Sequence, residues 1–383
     1  MQTFDAIVLG LGTMGSFTCL ELARRGLRVA GFDAFSPPHA RGSHSGDTRV
    51  FRVAYAEHPD YVPLARRAGS LWDQYGAEFG KGLLTRAGML SVGPTDGAFL
   101  DGIRNSARIH QLDIEELSAD DIERRYPAFA VPEGSQGIFE KAAGWLDVPA
   151  SIEGAQRAAE RLGATMFRDT PVVRWMQRGS AIAIETEHQT VEAARLAITA
   201  GAGASALLRD LKLPLTIERK TLTWIEPRDP RLFAPDVFPV FTMADDFFYG
   251  FPNIRNEGVK LAIHWRREQV IDDPFAPVRP AGNEDFEPVV RMANRYLPRL
   301  TDPLPDGLSR VRRGATCLYT MTPDEHFIVD RHPEHENVWF AAGFSGHGFK
   351  FAPAIGEILA DLCMEGKTAL PIGFLRTGTR FAA

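Results

Sequence analysis

The sequence predicts a chain of α/β and α+β class, in which a doubly wound, largely parallel sheet is interleaved with a second domain built on a mixed sheet. Three observations predict it. A short apolar strand at the start of the chain runs into Gly10-Leu11-Gly12-Thr13-Met14-Gly15 and then a helix; a second glycine-rich strand-to-helix turn, Gly343 to Gly348, stands near the end; and the stretch between is rich in aromatic, alternating strands. With 383 residues the chain exceeds the ~250–300 residues at which single cores stop growing. Two domains are therefore expected: residues 1–82, 146–215 and 318–383 in a Rossmann-type domain, and 83–145 and 216–317 in a substrate domain.

Phe4 to Leu9 (FDAIVL) lacks strict alternation, as suits a parallel strand buried on both faces. Gly10, Gly12 and Gly15 form G-x-G-x-x-G, a helix follows from about Met14 to Arg25, and Gly26 stops it. A pyrophosphate needs such glycines, because it must approach the backbone and rest on unpaired N–H groups at the positive end of a helix. The second strand, Leu27 to Phe32, ends in Asp33, whose carboxylate suits a ribose 2′-hydroxyl and repels a 2′-phosphate, which argues against NADP. Together these point to a dinucleotide and leave NAD and FAD open.

Past Asp33 the chain reads FSPPHARGSHSGDTRVFR, a polar loop of a length that is usually functional or disordered. Val50 and Phe51 between its arginines predict burial of its end. A helix is expected from Val62 to Tyr75, short strands and acidic helices from about Leu83 to Trp145, a helix from Val148 to Leu162, a strand from Ala164 to Val173 and a hairpin of 181–187 with 190–199. That hairpin ends at Ala200-Gly201-Ala202-Gly203, a pattern that returns the chain to the first sheet. From Thr216 to about Arg266 the pattern is strand-rich, and Tyr249 to Pro252 pairs with Val259 to Trp265 so that Lys260, Ala262 and His264 share a face. A strand from Val338 to Ala342 and a helix from Ala352 to Glu365 flank the last glycine turn.

Composition excludes several classes. Hydrophobic residues at 44% and charged residues at 24% are ordinary for globular chains. A net charge of -6 without a basic run disfavours nucleic acid. No apolar stretch approaches the ~18 residues a membrane span needs, and no secretory leader is visible at Met1 to Leu11, so cytoplasmic location without a membrane partner is expected. Cys19, Cys317 and Cys363 form no metal or disulfide pattern.

Taken together, FDAIVLGLGTMG, PPHARGSHSGDTRVFRVAY, YGFP with VKLAIHW, and CLYTMTPDEHFIVDRHPEHENVWFAAGFSGHGFKFAPAIGEILADL resemble the monomeric sarcosine oxidase and N-methyltryptophan oxidase family, from Phe4 to about Thr368. The resemblance implies a flavoenzyme with FAD held covalently through Cys317, oxidising the C–N bond of secondary amino acids and reducing O2 to hydrogen peroxide. A lone cysteine is otherwise most often a small buried hydrophobe, which is the reading for Cys19 and Cys363.

The same resemblance assigns roles. Lys260 promotes the reaction with oxygen, a cation acting best away from water. Arg52 and Lys350 hold the substrate carboxylate, a fork and a point charge. His264, Tyr249 and Tyr319 line the amine side of the pocket. His44, Thr48 and Arg49 pack beside the flavin ring, where Arg49 stabilises the anionic flavin. Gly346, His347 and Gly348 precede a helix whose positive end, together with Lys350, lies by the cofactor; Gly10, Gly12, Thr13, Met14, Gly15, Asp33, Val172 and Gly201 complete the cofactor set. Where the family commonly reads RHAYGEG, this chain has Arg52-Val53-Ala54-Tyr55-Ala56-Glu57-His58, and residues 253–258 are polar and variable.

The expected reaction is oxidation of an N-methyl amino acid such as sarcosine by a monomer with O2 as co-substrate. Alternatives are N-methyltryptophan or a cyclic imino acid such as pipecolate or proline as substrate, a dehydrogenase of the same fold using another acceptor, and a nucleotide-binding scaffold without turnover.

Overall fold

A computed structural model describes residues 2–265, 269–301, 307–378 and 380–381. The end of the strand-rich stretch expected near Arg266 lies outside them.

The first sheet has a parallel core in the order Thr165–Phe167, Val29–Phe32, Gln2–Leu9, Thr190–Ile198 and Val338–Ala342, with Ile328–Arg331 antiparallel at the far edge. Ile7, Val8, Val29, Ala30, Leu196 and Ile198 are fully buried, as a sheet covered on both faces requires. Helices Thr13–Arg24, Val148–Arg161 and Ala352–Glu365 pack together on it. Val148–Arg161 starts on the Asp147 side chain, which accepts the Ala150 N–H, and has Pro149 in its first turn. Ala352–Glu365 ends on left-handed Gly366.

The second sheet runs Gln269–Val270, Thr216–Ile225, Val259–Ile263, Phe248–Phe251, Val240–Met243, Met89–Pro94, Ser135–Glu140 and Glu115–Ser118; Val311–Met321 pairs along Thr216–Ile225. Its core meets the amphipathic helix Asn283–Tyr296, which buries Phe286, Val289, Val290 and Ala293. A small third sheet, Thr48–Phe51 with Gly144–Asp147 and Leu84–Thr85, carries the end of the polar loop. Phe51 is buried there as expected.

The hairpin is present as Ala181–Thr186 and Thr190–Ile198, and its second arm joins the first strand in parallel. Other expectations need correction. The single strand over Ala164 to Val173 is two, Thr165–Phe167 beside Val29–Phe32 and Val172–Arg178 in the hairpin, because Asp169 takes a positive φ of 49 and Pro171 follows it. The helix expected to end at Tyr75 continues to Phe79, where left-handed Gly80 stops it. The boundaries at 145/146 and 317/318 fall inside the strands Gly144–Asp147 and Val311–Met321, whose pairing continues across them.

Candidate functional site

The glycine turn is shaped for close approach. Gly10 has φ +93, and a Cβ there would lie 2.6 Å from the Thr199 carbonyl oxygen; a Cβ on Gly15 would lie 1.7 Å from the Gly10 carbonyl oxygen. No side chain caps the helix at Gly12, which leaves the first-turn N–H groups for a ligand. Asp33 accepts Leu11 N–H at 2.7 Å and Phe35 N–H at 2.9 Å, so its carboxylate faces the turn from the end of the second strand. Gly15→Ala is expected to cost at least the ~1–3 kcal/mol typical of overpacking. Differential scanning calorimetry and flavin content of the purified protein check this, a normal melting temperature with full flavin being the contrary result.

From this turn a cavity of about 430 Å³ extends between the two sheets. Among the predicted residues its wall includes Gly10, Gly12, Thr13, Met14, Asp33, His44, Arg49, Val172, Gly201, Tyr319, Gly346 and Gly348. Gly15 sits behind the turn. The wall also takes in Phe35, Arg41 and Phe275, which the sequence did not mark: Arg41 donates to the Phe275 carbonyl and lies 4.3 Å from the Phe35 ring. Burial, then the charges of His39 and Arg49, hold His44 neutral with its pKa lowered to about 3.

Lys260, Tyr249, His264, Cys317, Thr48, Arg52, His347 and Lys350 do not line this cavity; those on the second sheet are placed about Tyr319, which does, by strand register, since direct cross-strand partners project from the same face. Lys260 is opposite both Trp224 and Phe251, Tyr249 opposite Ala262, Cys317 opposite Lys220 and Tyr319 opposite Glu218. One face of the second sheet therefore carries Lys260, Tyr249, Cys317 and Tyr319. His264 lies one residue past its strand, yet its Nδ1 is 3.3 Å from the Tyr319 hydroxyl, which also hydrogen-bonds Tyr249. Burial and then His347 and Lys220 lower the His264 pKa to about 3, so the ring is neutral. A Cβ on Gly346 would lie 2.2 Å from the Tyr319 ring, which places the last glycine turn directly on this group.

Beside it, Lys260 Nζ donates to the Thr48 carbonyl at 2.6 Å and to Thr48 Oγ1 at 2.7 Å. Its pKa is well below the usual lysine value because of burial, then the nearby Arg49 charge. Arg49 is fixed by the carbonyls of Gly46, Thr48, Ser43 and Ser45, which orient its guanidinium without cancelling its charge.

Arg52, Lys350 and His347 form an adjoining group. Arg52 is paired with Glu57, and although burial opposes ionisation, Arg52 draws the Glu57 pKa down to about 2. Lys350 Nζ donates to the His347 carbonyl at 2.7 Å and to the Tyr55 hydroxyl at 3.2 Å, while Arg52 stacks 3.9 Å from the Tyr55 ring centre. Burial, then Arg52, pushes the Lys350 pKa well down. Tyr55 and Glu57 lie within the departing segment that the sequence marked without giving either a role. Lys220, ion-paired with Glu218 at 2.9 Å and lying over the Tyr319 ring, carried no sequence signal, since only strand pairing brings it opposite Cys317.

The cradle of uncapped N–H groups, the ribose-competent Asp33 and the long cavity reaching a second glycine turn fit FAD. The comparisons agree. A family described as FAD dependent oxidoreductase (DAO) matches residues 5–362. A monomeric sarcosine oxidase of Streptomyces avermitilis is 36% identical over 376 residues, covering 97% of this chain and 96% of that one. An N-methyl-L-tryptophan oxidase of Salmonella arizonae is 38% identical over 370 residues, covering 94% and 95%. The solved structure of NikD, an unusual amino acid oxidase essential for nikkomycin biosynthesis, superimposes with a TM-score of 0.83 at 22% identity over 98% of each chain, a likeness of fold. With the family model spanning nearly the whole chain and the dinucleotide cradle intact, this protein belongs to the DAO family of FAD-dependent oxidoreductases.

Proposed function

We propose that the protein oxidises an N-methyl amino acid such as sarcosine to an imine, which water hydrolyses to the amino acid and formaldehyde, while O2 is reduced to hydrogen peroxide. One observation carries this reading most: two buried cations from opposite ends of the chain, Arg52 and Lys350, converge on Tyr55 beside the Tyr319, His264 and Gly346 group. Glu57 supplies one anion to these two buried cations, and a substrate carboxylate supplies a second.

FAD, when bound, supplies the acceptor for the hydride leaving the substrate C–H bond. The protein's part is positioning. Arg52 and Lys350 grip the carboxylate, with Glu57 as the counterion Arg52 keeps between turnovers. Neutral His264 adds no repulsion to the substrate amine, and Tyr249 and Tyr319 orient that amine. Arg49 and Lys260 provide fixed and tunable positive charge where electrons pass to oxygen. A substrate with a larger side chain is a second reading, favoured by Phe247 and Trp265, whose rings pack 4.6 Å apart next to His264 with Trp265 54% exposed.

A peroxide assay against sarcosine, N-methyltryptophan, pipecolate and proline tests the proposal. Peroxide with sarcosine or N-methyltryptophan supports it; peroxide with pipecolate or proline alone, neither of which has an N-methyl group to leave as formaldehyde, replaces it with the cyclic imino acid reading; reduction of an artificial dye without peroxide identifies a dehydrogenase, and no turnover with any overturns the reading.

The covalent link to Cys317 belongs to the same proposal, supported by the place of this buried thiol on the face shared with Lys260 and Tyr319. Cys317→Ala is expected to release all flavin on acid precipitation, whereas the unaltered protein keeps it in the pellet; equal release from both proteins would refute the link. The discontinuous division into cofactor and substrate domains accords with the two sheets, apart from the strands that cross its boundaries. A monomer in the cytosol belongs to the same proposal, supported by the relatives named monomeric sarcosine oxidase and by cysteines that form no disulfide.

A further inference from the structure

We infer that Tyr55 is a positioning residue which holds both carboxylate-binding cations at once, Lys350 through its hydroxyl and Arg52 against its ring, with His347 setting the direction of the O–H. It rests on the carboxylate site proposed above.

Tyr55 is fully buried and is fixed from several sides. Just before it, the Glu140 carboxylate accepts the N–H groups of Val53 at 2.8 Å and Ala54 at 3.1 Å, and Ser106 Oγ donates to the Tyr55 carbonyl. Its ring packs against Tyr61 and Phe351. The side chain has no freedom to serve as a mobile acid or base.

The polarity of its hydroxyl follows from its neighbours. His347 Nε2 is 3.0 Å from the Glu325 carbonyl oxygen, which can only accept, so Nε2 carries the proton. The ring is neutral, its pKa lowered to about 3 chiefly by burial. His347 Nδ1, 2.8 Å from Tyr55 Oη, must then accept, and Tyr55 donates to it. A donating hydroxyl offers Lys350 only lone pairs. The chain of donation runs Lys350 to Tyr55 to His347 to the Glu325 carbonyl.

This direction has a consequence for the site. An ammonium has three N–H donors; Tyr55 and the His347 carbonyl take two, and the third is aimed by their geometry. The Tyr55 ring covers one face of the Arg52 guanidinium, and the Ala54 carbonyl and Glu57 take donors at its edge. One tyrosine thus sets the distance and angle between the two cations that a planar carboxylate must bridge. Tyr61, its ring centre 4.8 Å from that of Tyr55 and tilted to it by 40°, also buries a hydroxyl, but it accepts from the Phe327 N–H and faces His326, away from both cations.

The test uses the holoenzyme and acetate as the carboxylate probe, with binding read from the change in the flavin absorption spectrum. Tyr55→Phe is expected to weaken acetate about tenfold, the scale of one hydrogen bond to a charged group. It should also shift the loss of acetate binding at high pH to lower pH, because Lys350 loses an acceptor that favours its charged form. In turnover the change should fall on KM more than on kcat. Tyr61→Phe, an equal loss of one buried hydroxyl, should leave acetate affinity unchanged.

If Tyr55→Phe binds acetate normally while Lys350→Met does not, the role of Tyr55 is refuted and the carboxylate site stands. If Lys350→Met also binds acetate normally, the site itself is refuted. Equal weakening in Tyr55→Phe and Tyr61→Phe would reduce Tyr55 to a packing residue and overturn the inference. His347→Ala, which removes the acceptor but keeps the tyrosine, carries the same expectation if Tyr55→Phe does not accumulate in folded form.

Discussion

Lys260→Met is expected to lower oxygen consumption with substrate by about 10²–10³-fold, the usual scale for removing one preorganised polar group from a water-excluded site. Methionine keeps the length and the apolar stem and deletes the ammonium, with its charge and its two hydrogen bonds to Thr48. Bleaching of the yellow colour by substrate without air should change by less than about tenfold, since Lys260 lies with Thr48 and Arg49 rather than with Arg52 and Lys350, the pair proposed to hold the carboxylate. The pH dependence sharpens the test. Lys260 has a lowered pKa, so its charged form is lost as pH rises through that value, and the oxygen step should slow with it. That descending limb should vanish in Lys260→Met. Oxygen electrode measurements across pH decide it; unchanged consumption would end the assignment of Lys260.

The second large effect is expected at Arg52. Arg52→Leu removes the two-pronged, charge-assisted contact proposed for the substrate carboxylate, and a fall in kcat/KM of about 10³ is expected at ~1.5–3 kcal/mol per hydrogen bond to a charged group. It also leaves Glu57 with a largely buried carboxylate and no counterion, one of whose oxygens already lacks a hydrogen-bond partner among the described residues. Breaking a buried pair costs ~3–5 kcal/mol, and the partial exposure of Glu57 argues for the lower end. Arg52→Leu with Glu57→Leu should therefore regain thermal stability without regaining activity. Melting temperature and kcat/KM, measured on both variants, separate the two losses; a double variant as active as the unaltered protein would refute carboxylate binding by Arg52. Lys350 adds a pH signature, because its pKa is lowered and carboxylate affinity should fall as pH rises through it.

Much of this was legible locally. Gly10, Gly12 and Gly15 announce a turn that cannot carry side chains, and the contacts a Cβ would meet at Gly10 and Gly15 show why. The closing turn at Gly346 was readable for the same reason. Lys260 and Tyr249 could be placed on paired strands by alternation, and the register bears this out. The break at Asp169 was not legible, since a positive φ at a non-glycine residue is selected by the packing around it. The domain boundary expected at 317/318 falls inside the strand Val311–Met321, whose long-range pairing with Thr216–Ile225 is not written in the local pattern.

The sequence by itself determined the dinucleotide cradle, the family and the inventory of cations, because these depend on residue types at short spacings. The resemblance already set Arg52 and Lys350 on one carboxylate; only the tertiary structure shows what joins the cations and what neutralises them. Arg52 and Lys350 are nearly three hundred residues apart and meet at Tyr55; Lys220 meets Cys317 by strand register; Glu57 becomes the counterion of Arg52 by burial. Electrostatics between side chains depends on distance and on exclusion of water, and neither is written along the chain.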